Sequence, residues 1–302
     1  MKLEDQPDSA TELVSLKDVS QDVAHSIQKQ QILVSQSKFR WDGQRGLQGV
    51  LLRFIPLITL LVALLLWQLV TALNLVSPIA LPAPVAVWQS LIGLLTGGFA
   101  GQTLFADIWI SFLRILAGFV AAVIIGIPVG ILMARNVIIF RIIDPFLQFI
   151  RPVPPLAYIP LLVLWFGINE LPKIILIMIG TLPIILISTV SGVRSTPVQR
   201  IRVAQCLGAT PLQLFWHTIL PSALPEIFTG MRIGIGIAWS CLVAAEFIAA
   251  SAGLGFLVQY AGQQLQADII FVGIIAIGLL GYAMELLIRG LERLVVPWKG
   301  HV

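Results

Sequence analysis

Apolar residues along this chain fall in runs of about twenty, with no strict alternation and very little charge between them. From Phe54 to Ala106 not one residue is charged. Inside that stretch, residues 54–73 (FIPLITLLVALLLWQLVTAL) are long enough as a helix to cross a hydrocarbon core of about 30 Å. Asn74, Ser77-Pro78 and Pro82-Ala83-Pro84 then break the run, and residues 85–95 are apolar but short. So brief a piece, carrying Trp88, predicts an outer helix along the membrane surface rather than a span. Residues 108–134 predict a long span with Asp107 at its start and Arg114 inside. Residues 138–166 predict another, interrupted at Asp144-Pro145 and again at Arg151-Pro152-Val153-Pro154-Pro155. Residues 174–193 (with Pro183 midway), 223–250 (with Arg232 and Glu246) and 269–288 complete six spans.

Composition supports that pattern. Of 302 residues 58% are hydrophobic and 11% charged, where soluble domains sit near about 45–50% and about 25%. The mean hydropathy of +0.95 excludes disordered, collagenous and nucleic-acid-binding classes. Residues 1–53 hold seven bases and seven acids, so a polar, neutral tail over 1–50 precedes a transmembrane domain over 51–302. Phe39-Arg40-Trp41 reads as an interfacial anchor for that tail. The bases fix an orientation. Lys38, Arg40, Arg45, Arg53, Arg135, Arg141, Arg194, Arg200, Arg202, Arg289, Arg293 and Lys299 all fall on one side if there are six spans, against Lys173 alone on the other. By the positive-inside rule both termini are cytoplasmic. A seventh crossing at residues 85–95 would destroy the asymmetry.

Enzyme chemistry finds no foothold. None of the six lysines follows a glycine, so there is no phosphate-cradling loop. His25, His217 and His301 have no metal-ligand spacing, and Cys206 and Cys241 form neither a disulfide framework nor a Cys-x-x-Cys pair. Ser188, Ser191 and Ser240 lie in spans that contain no histidine to serve as base.

The informative stretch lies between the fourth and fifth spans. Thr196-Pro197 reads as a cap and a first-turn proline, Gly208 as a left-handed stop, Thr210-Pro211 as a second start, and Pro221 as its end. Two short helices follow, with Val198, Ile201, Ala204, Leu207, Leu212, Phe215 and Ile219 on a side that can bury and Arg200, Arg202 and Gln205 facing out. Pattern alone fits a plain solvated hairpin as well as a docking element. Within it, Ala204, Gly208 and Thr218-Ile219-Leu220-Pro221 resemble the EAA loop of ABC importer permeases. Arg202 stands where that loop has Glu, Val203 replaces its first Ala, and Thr218 replaces Ile. The flanking RPVPPLAYIPLLVLWFGI from Arg151, RIRVAQCLGA from Arg200, LPEIFTGMRIGIGIAWSCLVAAEFIAA from Leu224 and the terminal PWKGHV resemble the taurine/aliphatic-sulfonate branch.

The resemblance, which covers about residues 55–302, implies an all-α integral membrane protein with the type I ABC importer permease fold. It implies a pair of permeases, two cytoplasmic ATPase subunits and a periplasmic binding protein. ATP and Mg would sit on the ATPases, and this chain would hold no cofactor. Arg200, Arg202, Ala204, Gln205, Gly208, Ala209 and Pro211 become the coupling element that docks on the ATPase. Nitrate, bicarbonate and cyanate importers share the fold and are the alternative cargo class. A channel or structural protein would show six spans too, but needs no capped hairpin. Glu246, expensive in a span unless it has a partner or a water-lined cavity, reads either as a substrate-path residue or as an interhelical ion pair. Arg151 either guides the anion or fixes the helix near Asp144. Tyr158, Trp239 and Ser240 are candidate path walls, against the ordinary reading of aromatic residues as core. Gly126-x-x-x-Gly130 and Gly230-x-x-x-Gly234 predict close helix approach. Glu285 and Arg289 predict a local ion pair.

Overall fold

The computed structural model describes residues 47–298, with side chains from Phe54 onward. The tail and its Phe39-Arg40-Trp41 anchor lie outside the described residues. Two compact units are distinguished, 1–67 and 68–302. The first contributes most of α1 (Leu47–Ala72), a 26-residue apolar helix with Pro56 inside it.

The second unit is helical throughout, and its only strand-like pairing among the described residues is an isolated bridge between Phe99 and Gln102. α2 (Pro84–Thr96) begins with proline in its first turn behind an extended Ala83, as suits a ring that fixes φ and lacks an N–H. α3 (Leu104–Arg135) is opened by Thr103, whose hydroxyl accepts from the Ala106 N–H. Asn136 closes α3 and opens α4 (Val137–Ile150), accepting from the N–H groups of Ile138 and Ile139. After α4 come a 3₁₀ turn (Pro155–Tyr158) and α5 (Ile159–Phe166), ended by Gly167 at φ +76°. α6 (Glu170–Arg194) is capped by Asn169. α7 (Val198–Cys206), α8 (Pro211–Leu214) and a π turn (Phe215–Ile219) lead into α9 (Leu220–Ala249). α10 (Leu254–Gln263) and α11 (Ala267–Val295) complete the unit.

Five helical stretches are long and apolar enough to cross a membrane, and α4 with the segment Pro155–Phe166 makes a sixth, bent by 93°. The bend falls at 151–154. Asp144-Pro145, expected to interrupt the span as well, does not: Pro145 sits inside an unbroken α4. Two prolines within four residues at the true break remove more donors than one isolated ring does.

α6 is the central helix, packed between α3 and α9. Its core partners are Ile115 and Phe119 of α3 and Ile235, Ala238 and Leu242 of α9. Hydrocarbon is as apolar as leucine, so close packing rather than water exclusion must hold such helices together. Glycines permit it: a Cβ at Gly126 would lie 2.8 Å from Ile185 Cγ2, one at Gly130 2.7 Å from Thr189 Cβ, and one at Gly230 2.3 Å from Ser188 Cβ. Gly234 is looser, 3.6 Å from the Phe119 ring. Thr181 and Thr189, fully buried in α6, donate their hydroxyls to Ile177 and Ile185 carbonyls and leave no unmet polar group there. Away from this seam large apolar side chains face outward, Ile124 of α3 at 65% exposure and Leu279 of α11 at 66%, as a lipid-facing surface requires.

Candidate functional site

The hairpin after α6 is built from local signals. α7 closes with the Ala209 N–H donating to the Ala204 carbonyl and the Gly208 N–H to that of Gln205, the two bonds of a Schellman cap. Gly208 has φ +81°, which glycine adopts without a Cβ penalty. At the second start the Thr210 hydroxyl accepts from the Gln213 N–H, and the Thr210 N–H donates to Gln213 Oε1 at 2.9 Å, a reciprocal capping box.

Three expectations here need correction. Thr196 does not cap α7; its hydroxyl is buried without a partner, and the helix begins after Pro197. Pro221 does not end the second piece but sits in the first turn of α9, because the π turn carries the chain on into the span. In that turn the Leu220 N–H reaches back to the Phe215 carbonyl. The expected burial of the apolar side also fails at three positions: Val198, Leu207 (83% exposed) and Leu212 point outward, joined by Val203 and Trp216. Phe215 alone of the expected set is fully buried, under the Arg135 guanidinium at 5.1 Å, while Ile201, Ala204 and Ile219 are half-buried. Arg200, Arg202, Gln205 and Pro211 are exposed and Ala209 half-buried. Arg200 reaches Ser222 Oγ at 3.4 Å.

The opposite end of the bundle carries a buried ionic network. Asp107, Ser111 and Arg114 lie on one face of α3 and are buried. Arg114 donates through Nε and Nη2 to both oxygens of Glu170 at 2.5 and 2.7 Å, and through Nη1 to Glu246 Oε1 at 2.7 Å and the Ala252 carbonyl at 2.6 Å. Ser111 donates to Glu246 Oε1 and accepts from the Leu254 N–H. Glu246 Oε2 accepts from the Gly255 N–H, and Asp107 Oδ1 from the Gly253 N–H. Three side chains thus satisfy the orphan donors at the start of α10. Lys173, expected in an outer loop, is buried in the first turn of α6 and donates to Glu170 at 2.9 Å. Of the two readings of Glu246, this geometry is the interhelical ion pair; the side chain is 0% exposed and held by Arg114, Ser111 and Gly255. Asp107, Ser111 and Arg114 were not among the expected site residues, although their i, i+4, i+7 spacing marks a polar helix face.

The other candidates separate. Trp239, buried with its indole N–H unpartnered, and exposed Ser240 line one cavity of about 500 Å³ with Leu156, Val243 and Ile277. Ser240 donates to the Gly236 carbonyl. Tyr158 is half-buried against the central core. Arg151, exposed at the end of α4, lines a different cavity of about 1000 Å³ near Arg194. Glu285 and Arg289 form the expected local pair at 2.6 Å. Among the described residues no group of histidines, cysteines or carboxylates is arranged to hold a metal.

Known proteins resemble this chain along most of its length. Residues 126–297 match the sequence family described as binding-protein-dependent transport system inner membrane component. The taurine transport system permease protein TauC of Escherichia coli is 45% identical over 266 residues, 88% of this chain and 94% of that one. A putative aliphatic sulfonates transport permease protein of Bacillus subtilis, SsuC, is 36% identical over 79% of this chain and 85% of its own length. The bicarbonate transport system permease protein CmpB of Synechocystis is 34% identical over 80% and 88%. In fold, a chain of the MetNI methionine ABC transporter in an inward-facing conformation superimposes with a TM-score of 0.51 at 21% identity, covering 62% of this chain and 95% of that one.

Proposed function

Because this chain belongs to the family of binding-protein-dependent transport system inner membrane components, the permeases of ATP-driven importers, we propose that it forms the membrane path for taurine or a related sulfonate. In this reading two copies pair in the inner membrane, two ATPase subunits bind ATP and Mg on the cytoplasmic side, and a soluble binding protein delivers cargo outside. The hairpin of α7 and α8 is the coupling element, through Arg200, Arg202, Ala204, Gln205, Gly208, Ala209 and Pro211. Both termini lie in the cytoplasm. Supporting that orientation, Arg135, Arg194 and Arg293 all lie in the last turns of helices that end on the hairpin side, with Arg289 one turn before Arg293.

The observation that carries the reading is the outward apolar side of a hairpin whose central turn is capped on both sides, by the Gly208 cap and the Thr210–Gln213 box. Leu207 and Leu212 gain nothing from water, and the doubly capped turn between the two short helices presents them to a partner. Trp239, Ser240, Tyr158 and Arg151 are the path residues in this account, and Glu246 supports the path as the fixed anchor of α9. The reading predicts that the reconstituted complex hydrolyses ATP faster with binding protein loaded with taurine or an alkanesulfonate than with empty binding protein. Stimulation by nitrate or bicarbonate alone would move the cargo to the alternative class, the one to which the likeness to CmpB points. No stimulation by any loaded binding protein would overturn the role.

A further inference from the structure

The cavity of about 1000 Å³ lies between α4 and α6, beside the hairpin end of the bundle. Its polar wall is Asp144, Gln148, Arg151, Ser191, Arg194 and Ser195. Most other arginines with described side chains in the second unit have an assigned electrostatic partner. Arg114 is held by Glu170 and Glu246, Arg232 by Glu292 and Arg289 by Glu285. Arg194 lies 4.0 Å over the Phe140 ring and Arg135 lies over Phe215. Arg151, like Arg141, Arg202 and Arg293, has no such partner, and of these four it is the one that lines this cavity. It is exposed, and among the described residues its guanidinium meets no hydrogen-bond acceptor, carboxylate or ring. Asp144 is its counterpart on the same wall: it accepts from Gln148 Nε2 at 2.6 Å, and no cation lies within ion-pair distance among the described residues.

The two free charges therefore coexist in one cavity without neutralising each other. Seven residues separate them on α4, about 10 Å along a helix axis. A ligand that satisfies both must carry an anionic head and a cationic end. A guanidinium fork suits a tetrahedral oxyanion, which offers several oxygens at once. A carboxylate suits an ammonium group. A simple anion such as nitrate or bicarbonate would take the arginine but leave Asp144 facing it with like charge.

We propose that this cavity is a binding station for an ω-aminoalkanesulfonate on the release side of the membrane, with Arg151 and Arg194 on the sulfonate and Asp144 on the ammonium group. The proposal rests on the import reading above and sharpens it, since it makes the amino group, and not only the oxyanion, part of what the permease recognises. Ser191 adds a hydroxyl donor beside Arg194, whereas the Ser195 hydroxyl donates to the Gly192 carbonyl at 3.1 Å.

The test is equilibrium binding to the complete permease–ATPase complex in lipid nanodiscs, without nucleotide and without binding protein. Two labelled probes are used, taurine and ethanesulfonate, which lacks the amino group. The wild type binds taurine saturably and more tightly than ethanesulfonate. Arg151→Gln weakens both by at least about tenfold. Asp144→Asn weakens taurine about as much and leaves ethanesulfonate unchanged or tighter. Arg141→Gln, an exposed change on α4 outside the cavity, leaves both unchanged. Absence of saturable taurine binding overturns the station, as does an Arg151→Gln effect no larger than that of Arg141→Gln. Equal losses for both probes in Asp144→Asn overturn the ammonium assignment. Uptake of taurine driven by loaded binding protein, measured in wild-type proteoliposomes, keeps the two ideas apart. Uptake without saturable binding removes the station and keeps the import reading, whereas uptake of another oxyanion and none of taurine removes both.

Discussion

At the Glu170 end of the bundle, Asp107, Arg114, Lys173 and Glu246 are buried, and each has found a partner within the chain. At the hairpin end, Val198, Val203, Leu207, Leu212 and Trp216 are exposed. Arg114 is 5% exposed and spans three elements through Glu170, Glu246 and Ala252, whereas Leu207 is 83% exposed and touches water on most of its surface. Burying an ion is costly unless its partners are complete, so the Glu170 end is a finished structure that fixes α3, α6, α9 and the start of α10 together. Exposing leucines on a rigid, capped hairpin forgoes burial that another chain can supply. Internal completeness marks the part that holds the fold; under the proposed function, incompleteness marks the part that meets the ATPase.

The sharpest break of that contrast is Arg114→Met. Removing one member of a buried pair strands the others and costs about 3–5 kcal/mol. Thermal unfolding of the purified permease should show a large drop in midpoint or little folded protein, and ATPase capture should fall only as far as folded protein falls. Glu246→Gln is the milder cut at the same end. It keeps shape but weakens charge-assisted bonds to Arg114 and the Gly255 N–H, for about 1–3 kcal/mol. The unfolding midpoint should drop while substrate-stimulated hydrolysis per folded complex stays near wild type. Lost stimulation at unchanged stability would instead place Glu246 in the path.

Gly208→Val moves the cut to the hairpin. A Cβ there meets nothing within 4 Å, so only the left-handed backbone resists, by about 1–2 kcal/mol. The spans should unfold at the wild-type temperature while co-purification of the ATPase falls several-fold, with Gly208→Asn between the two. Smallest of all is Leu207→Ser. An exposed surface change should leave stability within about 0.5 kcal/mol, and a two- to five-fold loss of substrate-stimulated hydrolysis would come from about 0.5–1 kcal/mol of lost docking. A destabilised permease in either hairpin variant would erase the distinction between the ends.

Sequence pattern revealed the two ends unequally. The spans stood out because charge is so sparse, and Gly208 with Thr210 and Gln213 carried its structure locally in backbone conformation and caps. Pro221 misled because a proline without an N–H reads as a stop, yet after a π turn it serves as well in the first turn of the next helix. Val198, Leu207 and Leu212 misled for a different reason. Their periodicity is that of a buried stripe, and periodicity does not say whether the burying surface belongs to the same chain. The ionic network was the least legible part, since Arg114 and Glu246 are 132 residues apart and pair only once α3 and α9 have packed on α6. Glu246 announced that it needed a partner; it did not say which.

The chain carries its own reporter for the central claim that the hairpin is where the ATPase binds. Cys206 is an exposed thiol in the last residue of α7, and Cys241 is buried in α9. Maleimide labelling of the wild-type permease in nanodiscs, followed with and without ATPase subunits, should modify Cys206 readily in the permease alone. Assembly should slow that modification by at least about tenfold, the effect of an opening cost of about 1.4 kcal/mol. Cys206 labelling at the same rate in the assembled, ATP-hydrolysing complex as in the permease alone would contradict the account.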